Sequence, residues 1–125
     1  RHLVHHYWRQ IDASRMNDAA QRLVGEHDFA GFAAAKHGRT STTRTVFACR
    51  VETSRAAGAP EVHVVISGSG FLYNMVRIVT GTLVEIGRGR WEPSRIDEIL
   101  AAKDRRLAGF TAPPNGLCLE WVKYE

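Results

Sequence analysis

Arg77, flanked by Met75-Val76 and Ile78-Val79, is the most chemically loaded position in this 125-residue sequence. A guanidinium keeps its charge at physiological pH, with a pKa above ~12. If enclosed, it therefore needs a carboxylate, phosphate or carbonyl to accept its N–H groups. Helical spacing sets Arg77 on a stripe with Tyr73, Thr80 and Val84, about 100° or more from the face made by Leu72, Met75, Val79 and Leu83. Two readings stand on that pattern: an enclosed charge with a partner, or a surface arginine over a helix flank.

Other positions offer less. Gly68-Ser69-Gly70 precedes the helix and has the composition of an anion cradle, but no phosphate-loop lysine or dinucleotide fingerprint accompanies it. Gly81 in mid-helix costs ~1 kcal/mol against alanine, which points to close backbone packing. Asp28, between His27 and Phe29, has the chemistry for acid–base work, though a loop-capping aspartate is the more ordinary role. Cys49 and Cys118 lie in apolar alternating stretches and read as buried free thiols of a cytosolic protein, with a disulfide as the less ordinary alternative. His2, His5 and His6, with Tyr7 and Trp8, lack a metal-ligand spacing and read as residues of an exposed arm. Neither the cysteines nor the histidines have the spacing of a zinc site.

Composition is that of a soluble globular chain, 44% hydrophobic and 24% charged, with a net charge of +4. Lysine occurs only at positions 36, 103 and 123, so 14 of the 17 basic residues are arginine. The planar arginine fork suits phosphates and bases, a weak lean towards nucleic acid. No apolar run approaches the ~20 residues that cross a bilayer, and the first residues do not resemble a signal peptide.

The elements that must position these groups are legible from pattern. Asp12 is an N-cap, Ile11 and Met16 have the spacing of a hydrophobic staple, and a helix over 13–24 ends at Gly25. Residues 26–43 read as a loop anchored by Phe29 and Phe32, with a basic, hydroxyl-rich stretch from Lys36 to Arg44. That stretch is either a solvated loop or a phosphate-contacting one. Strands follow over 45–53 and 62–66, separated by a turn at Ala56-Ala57-Gly58-Ala59-Pro60. A helix over 72–86, a second from Pro93 to about Lys103, an irregular crossing over 111–116 and a final strand over 117–124 complete the chain. In the final strand, Leu117, Leu119 and Trp121 share a face. The expected fold is a single α+β domain over 1–125, order α-β-β-α-α-β, with a mostly antiparallel sheet and helices on one face.

One continuous block narrows the function. The run Gly70-Phe71-Leu72-Tyr73-Asn74-Met75-Val76-Arg77-Ile78-Val79-Thr80-Gly81-Thr82-Leu83-Val84-Glu85-Ile86-Gly87-Arg88-Gly89 resembles the signature helix of the TruA-type tRNA pseudouridine synthases. Three further blocks agree in order: Gly25-Glu26-His27-Asp28-Phe29, Arg44-Thr45-Val46, and Leu107-Ala108-Gly109-Phe110-Thr111-Ala112-Pro113-Pro114-Asn115-Gly116-Leu117. The resemblance implies isomerisation of uridine to pseudouridine in the anticodon arm of tRNA, by a cytoplasmic homodimer, without metal or organic cofactor. The target base leaves the stack to reach the pocket. It further implies that Arg77 pairs with and orients a catalytic aspartate, that Leu117 helps wall the uracil pocket, and that Arg44, Arg88 and Arg90 contact phosphates.

The sequence also departs from the family pattern. The family's aspartate stands in an Arg-Thr-Asp-Ala-Gly motif, whereas Arg39-Thr40-Ser41 and Arg44-Thr45-Val46 lack it. The family's active-site tyrosine is also missing, and Ile78 replaces an asparagine. Arg1 is not an initiator methionine. The chain is therefore expected to be a C-terminal fragment that is inactive alone. The alternative is a stand-alone, non-catalytic RNA-binding module on the same scaffold.

Overall fold

The computed structural model describes residues 11–34, 41–56, 59–113 and 119–120. The N-terminal arm, Lys36–Thr40, the Ala57-Gly58 tip, Leu117, Cys118 and residues 121–124 lie outside the described residues, and with them the readings made of those positions.

Helix α1 spans Ala13–Gln21. Asp12 caps it as expected, its carboxylate accepting from the backbone N–H of Ser14 at 3.0 Å and Arg15 at 3.2 Å. The helix ends three residues before the predicted limit. Arg22 and Leu23 donate to Ala19 and Ala20 in a tightened last turn, so Leu23 still reaches the core while Val24 turns out to solvent. Gly25, at φ +117°, then reverses the chain.

Gly25–Asp28 forms strand β1, which is absent from the expected order. Its residues pair antiparallel with Thr43–Val46, at the start of strand β2 (Thr43–Ala56). Glu-His-Asp carries no apolar alternation, so only the tertiary partner makes this a strand. Phe29 and Phe32 anchor the following turn and are fully buried. Asp28 caps it, accepting from the Ala30 N–H at 3.0 Å and from the Thr42 hydroxyl.

Strand β2 pairs antiparallel with β3 (Ala59–Gly68), with a bulge between Val46 and Ala48. β3 in turn pairs parallel with β4 (Leu119–Glu120), giving a sheet of order β1-β2-β3-β4. Val46 and Cys49 of β2 and Val62, Val64 and Ile66 of β3 enter the same core cluster as the apolar faces of the helices. The fold is thus α+β with a mostly antiparallel sheet, and the order of elements is α-β-β-β-α-α-β.

Burial pushes the Cys49 thiol up to about 12. A thiol held protonated in the folded state favours folding fully below its unfolded pKa, near 9.0. That contribution is lost as pH rises from about 9 towards about 12, because only the unfolded chain ionises there. Denaturant unfolding between pH 8 and 11 should show a falling stability whose slope is reduced in Cys49→Ala.

Helix α2 spans Met75–Gly87, and begins three residues later than its periodicity predicts. Asn74 adopts φ 59°, ψ 9°, a left-handed conformation that no α-helix contains. The start of the helix is fixed there. Helix α3, Arg95–Ala102, starts after Pro93 and stops at Lys103, also left-handed at φ 56°. No helix among the described residues is long and apolar enough to cross a membrane.

Eleven of the thirteen α2 residues are buried. Thr80 and Val84, expected on a flank, are fully enclosed, because residues 108–112 cross the helix backbone to backbone. A Cβ at Gly81 would stand 1.7 Å from the Phe110 carbonyl oxygen, and one at Gly109 would stand 2.8 Å from Thr82 Cα. The Gly109 N–H donates to Thr82 Oγ1 at 2.9 Å, and that hydroxyl donates to the Ile78 carbonyl at 2.8 Å. At the far end, Arg15 donates to the carbonyls of Ile86 and Trp91, pinning the helix C-terminus to α1.

Candidate active site

Val76 and Arg77 are the α2 positions left unburied. The side chain of Arg77 is half-buried and held at two points. Nε donates to the Ala112 carbonyl at 2.7 Å, and Nη1 donates to Asn74 Oδ1 at 3.2 Å. The backbone returns the grip, with the Ala112 N–H donating to the Arg77 carbonyl at 3.0 Å. Of the two sequence readings, the partnered arginine is the one the geometry holds, and the partners are a carbonyl and an amide oxygen. A guanidinium has five N–H groups. Two are used, and no carboxylate among the described residues takes the other three. An uncompensated cation with a fixed plane and spare donors is the half of a bidentate ion pair that arginine supplies.

The other predicted residues are distributed unevenly. Arg44 lies against Gly70, on the segment that leads into α2. It donates to the carbonyls of Ser41 and Thr43 at 3.3 and 2.7 Å, and no carboxylate among the described residues pairs with it. Arg88 and Arg90 gather at the opposite end of α2, around the buried carboxylate of Glu85, at 3.5 and 3.4 Å. Eleven helical steps set Arg88 about 16 Å from Arg77. Gly68-Ser69-Gly70 does not stand at a helix N-terminus. Ser69 is used in the sheet, where its Oγ accepts from the Thr45 N–H at 3.1 Å.

Sequence reasoning missed Asn74, Ala112 and Glu85. Asn74 carries a signal, since asparagine is among the few residues that enter left-handed backbone readily. Ala112 acts through its carbonyl, which no side-chain pattern reports. Glu85 reads as a polar helix residue until the segments covering α2 are known.

The site is thus an α+β scaffold in which a mostly buried helix presents Arg77, anchored through a carbonyl and an amide oxygen. A family model described as tRNA pseudouridine synthase matches residues 19–125. A tRNA pseudouridine synthase A from Brevibacillus brevis is 49% identical over 114 residues, covering 91% of this chain and 45% of that protein. The protein of the same name from Geobacillus kaustophilus is 48% identical over 115 residues, 92% of this chain and 43% of its own length. That from Shouchella clausii is 45% identical over 124 residues, 99% of this chain and 46% of its own. The chain belongs to the tRNA pseudouridine synthase family, and within it resembles the A-type enzymes along nearly its whole length. It spans a little under half the length of these curated relatives.

Proposed function

We propose that residues 1–125 form one domain, the C-terminal half of the catalytic region of an A-type tRNA pseudouridine synthase. The full enzyme isomerises uridine to pseudouridine in the anticodon stem-loop of tRNA. The N1–C1′ bond breaks, the uracil turns, C5 bonds to C1′, and the proton lost from C5 is balanced by one gained at N1. Arg77 pairs with the catalytic aspartate, which the other half of the enzyme contributes, and fixes its carboxylate towards the flipped nucleotide. The observation that carries this reading is the Arg77 guanidinium itself, anchored by Ala112 and Asn74 with three N–H groups left over. Leu117 walls the uracil pocket.

Among the phosphate contacts, Arg44 is favoured by its position at the Arg77 end of α2 and by its want of a carboxylate among the described residues. Arg88 and Arg90 serve a more distant stretch of tRNA and must share themselves with Glu85. The enzyme acts in the cytoplasm as a homodimer.

The test uses purified protein and tRNA transcripts read for pseudouridine. The 125-residue chain alone is expected to form none, whereas the full-length protein that carries it modifies the anticodon arm. Turnover by the isolated chain would refute the division of the site. If the isolated chain instead binds tRNA with a steep negative salt dependence and no turnover accompanies the full-length protein, the non-catalytic RNA-binding module is the correct reading.

A further inference from the structure

We propose that Asn74 is the positioning residue for Arg77, and that its left-handed backbone exists to serve that contact. The inference rests on the reading of Arg77 given above. Asn74 stands at the N-cap of α2, yet its side chain caps nothing. A capping residue is ordinarily extended, as Asp12 is at φ −95°, ψ 101°. Among the described residues only Lys103 shares a positive φ without being glycine, and there it ends α3, where left-handed backbone is the common helix stop. At the start of a helix the conformation needs another cause. The cause the geometry offers is Oδ1, which accepts from Arg77 Nη1 at 3.2 Å.

The second anchor matters because of geometry. With Nε held by the Ala112 carbonyl alone, the guanidinium keeps freedom to rock about that bond. Adding Nη1 to Asn74 fixes two of its three nitrogens and hence its plane, so Nη2 projects from it in a fixed direction. A carboxylate arriving from that direction meets a preorganised fork, not a rotating one. Asn74 touches neither substrate nor aspartate in this scheme. It acts through Arg77.

Two substitutions in the full-length synthase separate positioning from folding. Glycine accepts φ near +60° without strain and alanine does not. Asn74→Gly and Asn74→Ala are both expected to lower kcat about tenfold, the worth of one hydrogen bond to a charged group, with KM for tRNA unchanged. The melting temperature should fall in Asn74→Ala alone. In an Arg77→Lys background, Asn74→Gly should cost no further activity. A wild-type kcat for Asn74→Gly, with loss confined to the destabilised Asn74→Ala, would overturn the proposal. If the wild-type enzyme formed no pseudouridine, the functional reading would fail separately. The positioning claim would then be decided by NMR of the Arg77 guanidinium, with Nη rotation slow in the wild type and averaged in Asn74→Gly. Identical spectra would overturn it.

Discussion

Replacing Arg77 with alanine in the full-length synthase is expected to reduce pseudouridine formation by roughly 10²–10³-fold, the scale of removing one preorganised charged donor from a transition state. The loss should fall on kcat, with KM for tRNA little changed, because the proposed role of Arg77 is to orient the aspartate and not to hold the tRNA. The domain should stay folded. The substitution removes two hydrogen bonds, at about 1 kcal/mol each, but leaves the backbone bond from the Ala112 N–H to the residue 77 carbonyl. Arg77→Lys should recover part of the rate at most, since an ammonium cannot bond a carbonyl, an amide and a carboxylate in one plane. A rate near wild type for the alanine variant would take Arg77 out of the site.

Gly81→Ala should destabilise the protein by about 2 kcal/mol or more, measured by denaturant unfolding, and the sign of this effect is informative. Helix propensity alone favours alanine by ~1 kcal/mol. Against that, the new methyl group would stand 1.7 Å from the Phe110 carbonyl oxygen, and the obstacle is backbone that cannot swing aside. Overpacking of this kind typically costs about 1–3 kcal/mol and occasionally more, and a backbone clash belongs at the upper end. Residues 108–112 would be pushed off α2, and the Ala112 carbonyl would leave Arg77 with them. Activity should therefore fall with stability. An unchanged or raised unfolding midpoint would mean that α2 and the crossing can separate freely.

Both variants bear on how much of this protein was legible in its residues. Local rules carried far: the Asp12 cap, the aromatic anchors Phe29 and Phe32, the main hairpin, and the inference that Gly81 meets another backbone all appear in the structure. Apolar periodicity gave the α2 core face but overran its start, because Leu72 keeps the period while Asn74 breaks the backbone. Strand β1 escaped notice since Glu26, His27 and Asp28 carry no pattern of their own and are strand only by pairing with β2. The same limit applied to the site. That Arg77 needed a partner followed from its charge and neighbours. That its two partners are an amide three residues back, Asn74, and a main-chain oxygen 35 residues on, Ala112, depended on the backbone turn and on tertiary placement.

The crossing over α2 has a mechanical consequence. Where two elements meet through interleaved side chains, small displacements are absorbed by rotamer shifts. Here Gly81 and Gly109 remove the side chains and leave main chain against main chain, a joint with almost no compliance. Any shift of the chain near Pro113 therefore passes undamped through Ala112 into the first turn of α2 and the guanidinium it carries. Arg77 is splinted to the segment over 108–112, and the two move as one body.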